Sequence, residues 1–113
     1  MATYANLYID QGADYETVVT IEDSASDPLD LTNLDISGQI RRTYRSDTSY
    51  NFVITKESEE LGAIRVRLDS ETSGQMNYGR YVYDIYAEDV YSNERFKVLE
   101  GMVEIVPGVT RNG

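Results

Sequence analysis

Apolar and polar residues alternate along this chain with a period of two, in short runs separated by turn-forming residues. That is the signature of strands with one face buried and one face wet. Leu7-Tyr8-Ile9 is a first short run, closed by Asp10-Gln11-Gly12. From Asp14 to Glu22, Tyr15, Thr17, Val19 and Ile21 share one face, while Glu16, Val18, Thr20 and Glu22 share the other. Leu34 to Tyr44 puts Leu34, Ile36, Gly38 and Ile40 inward, and a glycine in mid-strand marks a close approach or a bulge. Tyr50 to Lys56 carries Phe52 and Ile54 on one face, and Ala63 to Asp69 carries Ile64, Val66 and Leu68. Arg80 to Glu88 aligns Tyr81, Tyr83, Ile85 and Ala87. In the last run, Arg95 to Val106, the phase slips. Phe96 and Val98 fit one register; Leu99, Gly101, Val103 and Ile105 fit the other. A one-residue bulge near Val98-Leu99 reconciles them.

The connections read as punctuation between these seven strands. Asp23 to Pro28 is a loop, after which Leu29 and Leu31 tuck into the edge of the fold. Arg45 to Ser49, Glu57 to Gly62 and Ser92-Asn93 are turns, and Pro107-Gly108 ends the last strand. Ser70 to Tyr78 is the one helical segment, capped by Ser70 and limited by Gly74. The phrase Asn77-Tyr78-Gly79-Arg80-Tyr81 has the spacing of a tyrosine corner, in which Asn77, Gly79 and Tyr81 close a crossover between two sheets. Two residues on, where an antibody domain has a cysteine, stands Tyr83. These signals predict an all-β, Ig-like antiparallel β-sandwich of about seven strands, without a disulfide, as a single domain over residues 1–113.

Composition narrows the chemistry. The 113 residues include neither cysteine nor histidine, which removes thiolate metal sites and the commonest general base. Twenty acids against ten bases give a net charge of −10, which disfavours nucleic acid and anionic membranes as partners. No apolar run is long enough to span a bilayer, and the N-terminus lacks the basic start and apolar core of a signal peptide.

Catalytic candidates are thin. Lys56 and Lys97 are the two lysines, and neither sits in a Ser-x-x-Lys phrase. Asp84 and Glu88 share an outward strand face, where a solvated carboxyl is a poor proton donor near neutrality. The acidic stretch Glu22 to Asp30 has irregular spacing for calcium, and a polar loop started by Asp27 before Pro28 is the simpler reading. Arg65 and Arg67 point outward and are expected to pair with Glu16 and Glu22 on the neighbouring strand, and Arg41 with Asp84. Ten tyrosines with no tryptophan leave a further possibility. Tyr86 on an outer face, with Tyr44, Tyr50 and Tyr91 at strand ends or turns, is a candidate interaction surface, since aromatic rings dominate protein interfaces. A glycan-binding module and a calcium-stabilised capsid decoration or adhesion domain are the alternatives. No catalytic residue, metal ligand or cofactor is assigned.

Four segments together carry a resemblance: Tyr8 to Ala13, Leu31-Thr32-Asn33-Leu34 leading to Gly38-Gln39-Ile40-Arg41, Gly79 to Ile85, and Glu100 to Ile105 with Pro107 and Thr110-Arg111. The chain resembles small virion proteins of tailed bacteriophages, especially contractile-tailed phages of marine cyanobacteria. It is also similar in layout to the Ig-like N-terminal domain of upper baseplate proteins, without their C-terminal receptor-binding or trimerisation segment. The resemblance implies a non-enzymatic structural component of a virion, in the tail, baseplate or neck, assembled in the host cytoplasm. Its partners would be other virion proteins or further copies of itself, with no nucleic acid, membrane or cofactor involved. The first strand and the tail after Pro107 are the expected strand-edge contacts.

Overall fold

A computed structural model describes residues 3–110. Nine strands and one short helix follow in the order β1 (Thr3–Tyr4), β2 (Leu7–Asp10), β3 (Tyr15–Thr20), β4 (Leu34–Arg41), β5 (Ser49–Asn51), β6 (Val53–Ser58), β7 (Ala63–Leu68), α1 (Ser70–Gln75), β8 (Gly79–Asp89) and β9 (Arg95–Val106). The larger sheet has the order β1-β9-β8-β4-β5, with β2 also on β9; the smaller has the order β3-β7-β6. The chain crosses between sheets after β2, β3, β5 and β7, which is the Greek-key wiring of an Ig-like sandwich.

The alternation sets the faces. Tyr81, Tyr83, Ile85 and Ala87 of β8 are buried, as are Ile64, Val66 and Leu68 of β7, and together with Ile9, Leu31, Ile40 and Val103 they form one core between the sheets. The phase slip in β9 is real. Ile85 pairs with Leu99 but Tyr86 pairs with Lys97, so Val98 is the extra residue, and both Val98 and Leu99 face inward. Gly38 is a close approach rather than a bulge: a β-carbon there would stand 2.8 Å from Ile85 Cγ1 and 3.0 Å from the Asp84 carbonyl oxygen.

Several expectations need correction. The sheets are not wholly antiparallel, because β1 and β2 both run parallel to β9. Each is an arm of one edge strand, interrupted at Ala5-Asn6, and Met102 N–H donates to Asn6 Oδ1 across the break. The run Tyr50 to Lys56 is two strands, not one. β5 belongs to the larger sheet and β6 to the smaller, and the chain switches at Phe52, which is 6% exposed and packs edge-on to Tyr83 at 5.7 Å. Phe52 and Ile54 face the same core from either sheet, so alternation continues unbroken through the switch. Ser70 does not cap the helix; Asp69 does, its carboxylate accepting from Thr72 N–H at 2.8 Å. The helix ends at Gln75 rather than near Tyr78, because Met76 turns into the core at 1% exposure.

The crossover from β7 to β8 ends in the tyrosine corner. Tyr81 is 4% exposed, and its hydroxyl donates to the Asn77 carbonyl at 2.7 Å. The Arg42 guanidinium lies 4.8 Å over the ring, and Tyr50 meets it edge-on at 6.4 Å. Gly79 is required by its backbone, with φ of 124°, a conformation that side-chain-bearing residues rarely adopt.

Candidate functional site

The outer face of the larger sheet is the broadest display surface of the described residues. Residues paired directly across strands share a face, so the registers map it row by row. At one end, Asp35, Glu88 and Arg95 align; then Ser37, Tyr86 and Lys97; then Gln39, Asp84, Glu100 and Tyr4. Beyond these, Arg41, Val82 and Met102 align, followed by Arg80, Glu104 and Tyr8. The second half of this face is the apolar half. Val82 and Met102 are half-buried in the middle of the sheet, while Tyr4 and Tyr8 are 63% and 65% exposed at its edge. Tyr44 in the β4–β5 connection lies across a small hollow from Val82 and is 76% exposed. Charges from Arg41, Arg80, Asp84, Glu100 and Glu104 ring this patch.

The structure separates the four tyrosines singled out above. Tyr44 follows the end of β4 that pairs with Val82, whereas Tyr91 lies in the turn beyond Asp89, at the other end of β8. Seven residues of strand between Val82 and Asp89 put those ends roughly 24 Å apart. Tyr91 is 80% exposed and its N–H is held by the Asp89 carboxylate. Tyr50 is not a surface ring: it is half-buried and packs on Tyr81. Tyr86 does lie on the outer face, but it is half-buried and its ring is taken up by Arg95 at 4.5 Å and Lys97 at 5.9 Å. Lys97 has a raised pKa: partial desolvation pulls it down, and the charges of Glu100, Tyr86 and Asp84 more than offset that. The outward position of Tyr8 follows from the alternation of Leu7 and Ile9, whereas Tyr4 lies before the break at Ala5-Asn6 and is placed by its pairing with Glu100.

The ion pairs differ in detail from the expected ones. Arg65 bridges Glu16 on β3 and Glu57 beside it on β6, each at 2.9 Å, and these two carboxylates raise its pKa. Glu22 lies beyond β3, bridged to Pro28, and takes no part. Arg41 does not meet Asp84. Their registers are offset, with Val82 opposite Arg41, and its guanidinium donates to the Ser46 carbonyl and to Gln39. Asp84 and Glu88 lie two strand repeats apart on the open face, with Glu88 3.9 Å from Arg95.

In the acidic stretch, Asp23 accepts from the N–H groups of Ala25 and Asp27, and Asp30 from Thr32. These carboxylates serve as turn acceptors. Among the described residues no three Asp or Glu side chains converge as a metal site. Three carboxyls have shifted pKa values, and all three are lowered: Asp30 by the Thr32 hydroxyl and N–H, Asp69 by Thr72 N–H, Asp89 by the N–H groups of Ser92 and Tyr91. That is the opposite of what a proton donor near neutrality needs. Burial pushes the Tyr83 hydroxyl well up, where it serves as a donor, to Ala5 C=O at 2.6 Å.

Two larger open depressions lie on the surface of the described residues. One, of about 540 Å³, runs beside β4 between Gly38, Phe52, Ile54 and the Tyr86–Arg95 stack. The other, of about 850 Å³, lies between α1 and the segment after β9, and Glu71 is its one charged lining residue among those described.

No family model and no curated protein matches the chain. Among solved structures, it is similar to Listeria monocytogenes InlP, with 12% identity, a TM-score of 0.48, and coverage of 92% of this chain and 27% of that one. It is also similar to a family 123 glycoside hydrolase from Clostridium perfringens, with 11% identity, a TM-score of 0.45, and coverage of 96% and 23%. The chain spans about a quarter of the length of each of these proteins, and likenesses this distant carry no functional argument.

Proposed function

We propose that this chain is a non-enzymatic structural component of a tailed-phage virion, a rigid sandwich that docks neighbouring subunits through the outer face of its larger sheet. The observation that carries the docking role is the patch on that face: Tyr4, Tyr8 and Tyr44 exposed around Val82 and Met102, ringed by charges of both signs. An apolar centre with exposed rings and a polar rim is the anatomy of a protein interface. The absence of histidine and cysteine, and the downward direction of the shifted carboxyls, support a role without chemistry. The resemblance of the sequence phrases to those of small virion proteins supports the setting.

The test is a Tyr4→Ser/Tyr8→Ser/Tyr44→Ser chain, whose three sites are all more than half exposed. The wild-type chain is expected in purified phage particles by mass spectrometry, and the triple variant is expected to fold but be lost from them. Equal incorporation of the variant would remove the face from the account. Absence of the wild-type chain from particles would remove the virion.

A further inference from the structure

We propose that the open edge of β4 around Ile36 is a strand-addition site for an extended basic segment of another polypeptide, one in which lysine or arginine alternates with aliphatic side chains. The inference goes beyond the docking face and uses a different surface.

The argument starts from where β5 stops. β5 pairs with β4 at Gln39, Ile40 and Arg41, and Phe52 N–H then donates to the Gly38 carbonyl at 3.1 Å. After that the chain leaves, and β6 pairs with β7 in the other sheet. In an antiparallel ladder, alternate residues turn both backbone groups to the same neighbour. Gly38 turns toward the β5 side, so Ile36, two residues earlier, turns its N–H and C=O that way too. Its ladder partner is Ala87, on the opposite side. The edge therefore offers the Ile36 N–H and C=O as a short hydrogen-bonding template, between Leu34, whose N–H donates to the Leu31 carbonyl, and Gly38, with no strand upon it among the described residues.

The space beside that edge fits a strand. The groove of about 540 Å³ has an apolar floor from Ile36, Phe52 and Ile54. Its upper wall is polar, with Ser37, Gln39 and Asn51 on one part and Asp84 with the Tyr86–Arg95 stack on another. An added strand would direct alternate side chains to the floor and to the polar wall.

Charge selects the occupant. The segments gathered at this end of the sandwich are 22–35, 56–60 and 88–95. They are held together by the bond from Leu31 N–H to the Glu59 carbonyl, the bond from Val90 N–H to the Asn33 carbonyl, and the pairing of Leu34 with Asp89. They contain eleven Asp and Glu against two bases, Lys56 and Arg95, so the three segments sum to −9, or −8 with Arg65, which bridges Glu57 from β7. A second copy of the same edge would bring a like charge against it, which opposes self-pairing. A basic segment is drawn to this acidic end, and within the groove itself Asp84 supplies the acid, beside Arg95.

The probe is the heptapeptide acetyl-Lys-Val-Lys-Val-Lys-Val-Lys-amide, titrated into the intact chain, with hydrogen exchange followed by NMR. Saturable binding is expected to slow exchange of the Ile36 amide by about tenfold or more, as an added ladder bond protects its donor. Affinity should fall with added salt. The Glu-for-Lys peptide and a peptide N-methylated on alternate amides should both fail. Ile36→Pro, which removes the donor, should abolish binding while Ile36→Val retains it; the N-methylated peptide decides the matter should the proline variant not fold. No saturable binding of the basic peptide, equal binding of the N-methylated one, or protection at β3 or β1 in place of β4 would each overturn the proposal. The triple tyrosine variant should bind the peptide as wild type does, which keeps this outcome separate from that of the docking face.

Discussion

Gly101→Ala tests how the edge strand is attached. Gly101 pairs with Tyr83 on one side, and the Ala5 backbone crosses over it on the other. A β-carbon at Gly101 would overlap the Ala5 carbonyl oxygen, lie 2.8 Å from the Ala5 carbonyl carbon, and lie 3.2 Å from Tyr83 Cε1. Backbone atoms cannot swing aside as a side chain can, so the β1–β2 arm must shift by about an ångström. That shift breaks the bond from the Tyr83 hydroxyl to Ala5 C=O and strains the bond from Ala5 N–H to Glu100 C=O. Tyr83 is 3% exposed, so its orphaned hydroxyl costs roughly 1–3 kcal/mol. Overpacking adds roughly 1–3 kcal/mol. The lower chain entropy of alanine returns roughly 0.4–1 kcal/mol. The expected net loss is about 1–6 kcal/mol, read from equilibrium urea unfolding followed by circular dichroism. A double-mutant cycle with Tyr83→Phe makes the test specific. Removing the hydroxyl from the wild type should cost about 1 kcal/mol, but from the alanine variant, where it stands orphaned, it should cost nothing or restore stability. A Gly101→Ala chain as stable as wild type, or strict additivity, would refute the reasoning.

Tyr81→Phe should lose about 1–2 kcal/mol in the same assay, since it removes the one bond by which the corner hydroxyl reaches Asn77 C=O; a change of under about 0.3 kcal/mol would mean that the ring alone holds the crossover. Acid should weaken the helix cap. Asp69 has a folded pKa below its ordinary 3.8, because the charged form accepts from Thr72 N–H, so its contribution is present above 3.8 and lost as pH falls through the folded value. Asp69→Asn keeps an acceptor but cannot titrate, so the difference in Tm between it and wild type should change across pH 5 to 2 and be flat from pH 5 to 7; a difference that does not move with pH would overturn this assignment.

Much of the sandwich was legible because strand periodicity is a local property. Tyr81, Tyr83, Ile85 and Ala87 lie inward for the same reason that Leu7 and Ile9 do: successive side chains alternate across the pleat. The bulge at Val98 was legible because an extra residue inverts the phase on either side of it. Tyr8 was equally open to that reasoning, since it stands between two inward residues. Asp69 is a readable cap too, one residue before Ser70, since either side chain can accept from the N–H groups of the first turn.

What only the tertiary structure decided is which strand lies beside which. Phe52 and Ile54 point inward whether their strand belongs to one sheet or the other, so alternation is silent on the switch that splits β5 from β6. The parallel attachment of β1 and β2 to β9, the burial of Tyr50 against Tyr81, and the placing of Tyr44 and Tyr91 at opposite ends of β8 are set by residues remote in sequence. The same holds for the free edge at Ile36, which exists because β5 is three residues long. Periodicity assigns each side chain a face, but neighbours are chosen by the packing of two sheets against one core, and that is a property of the whole chain.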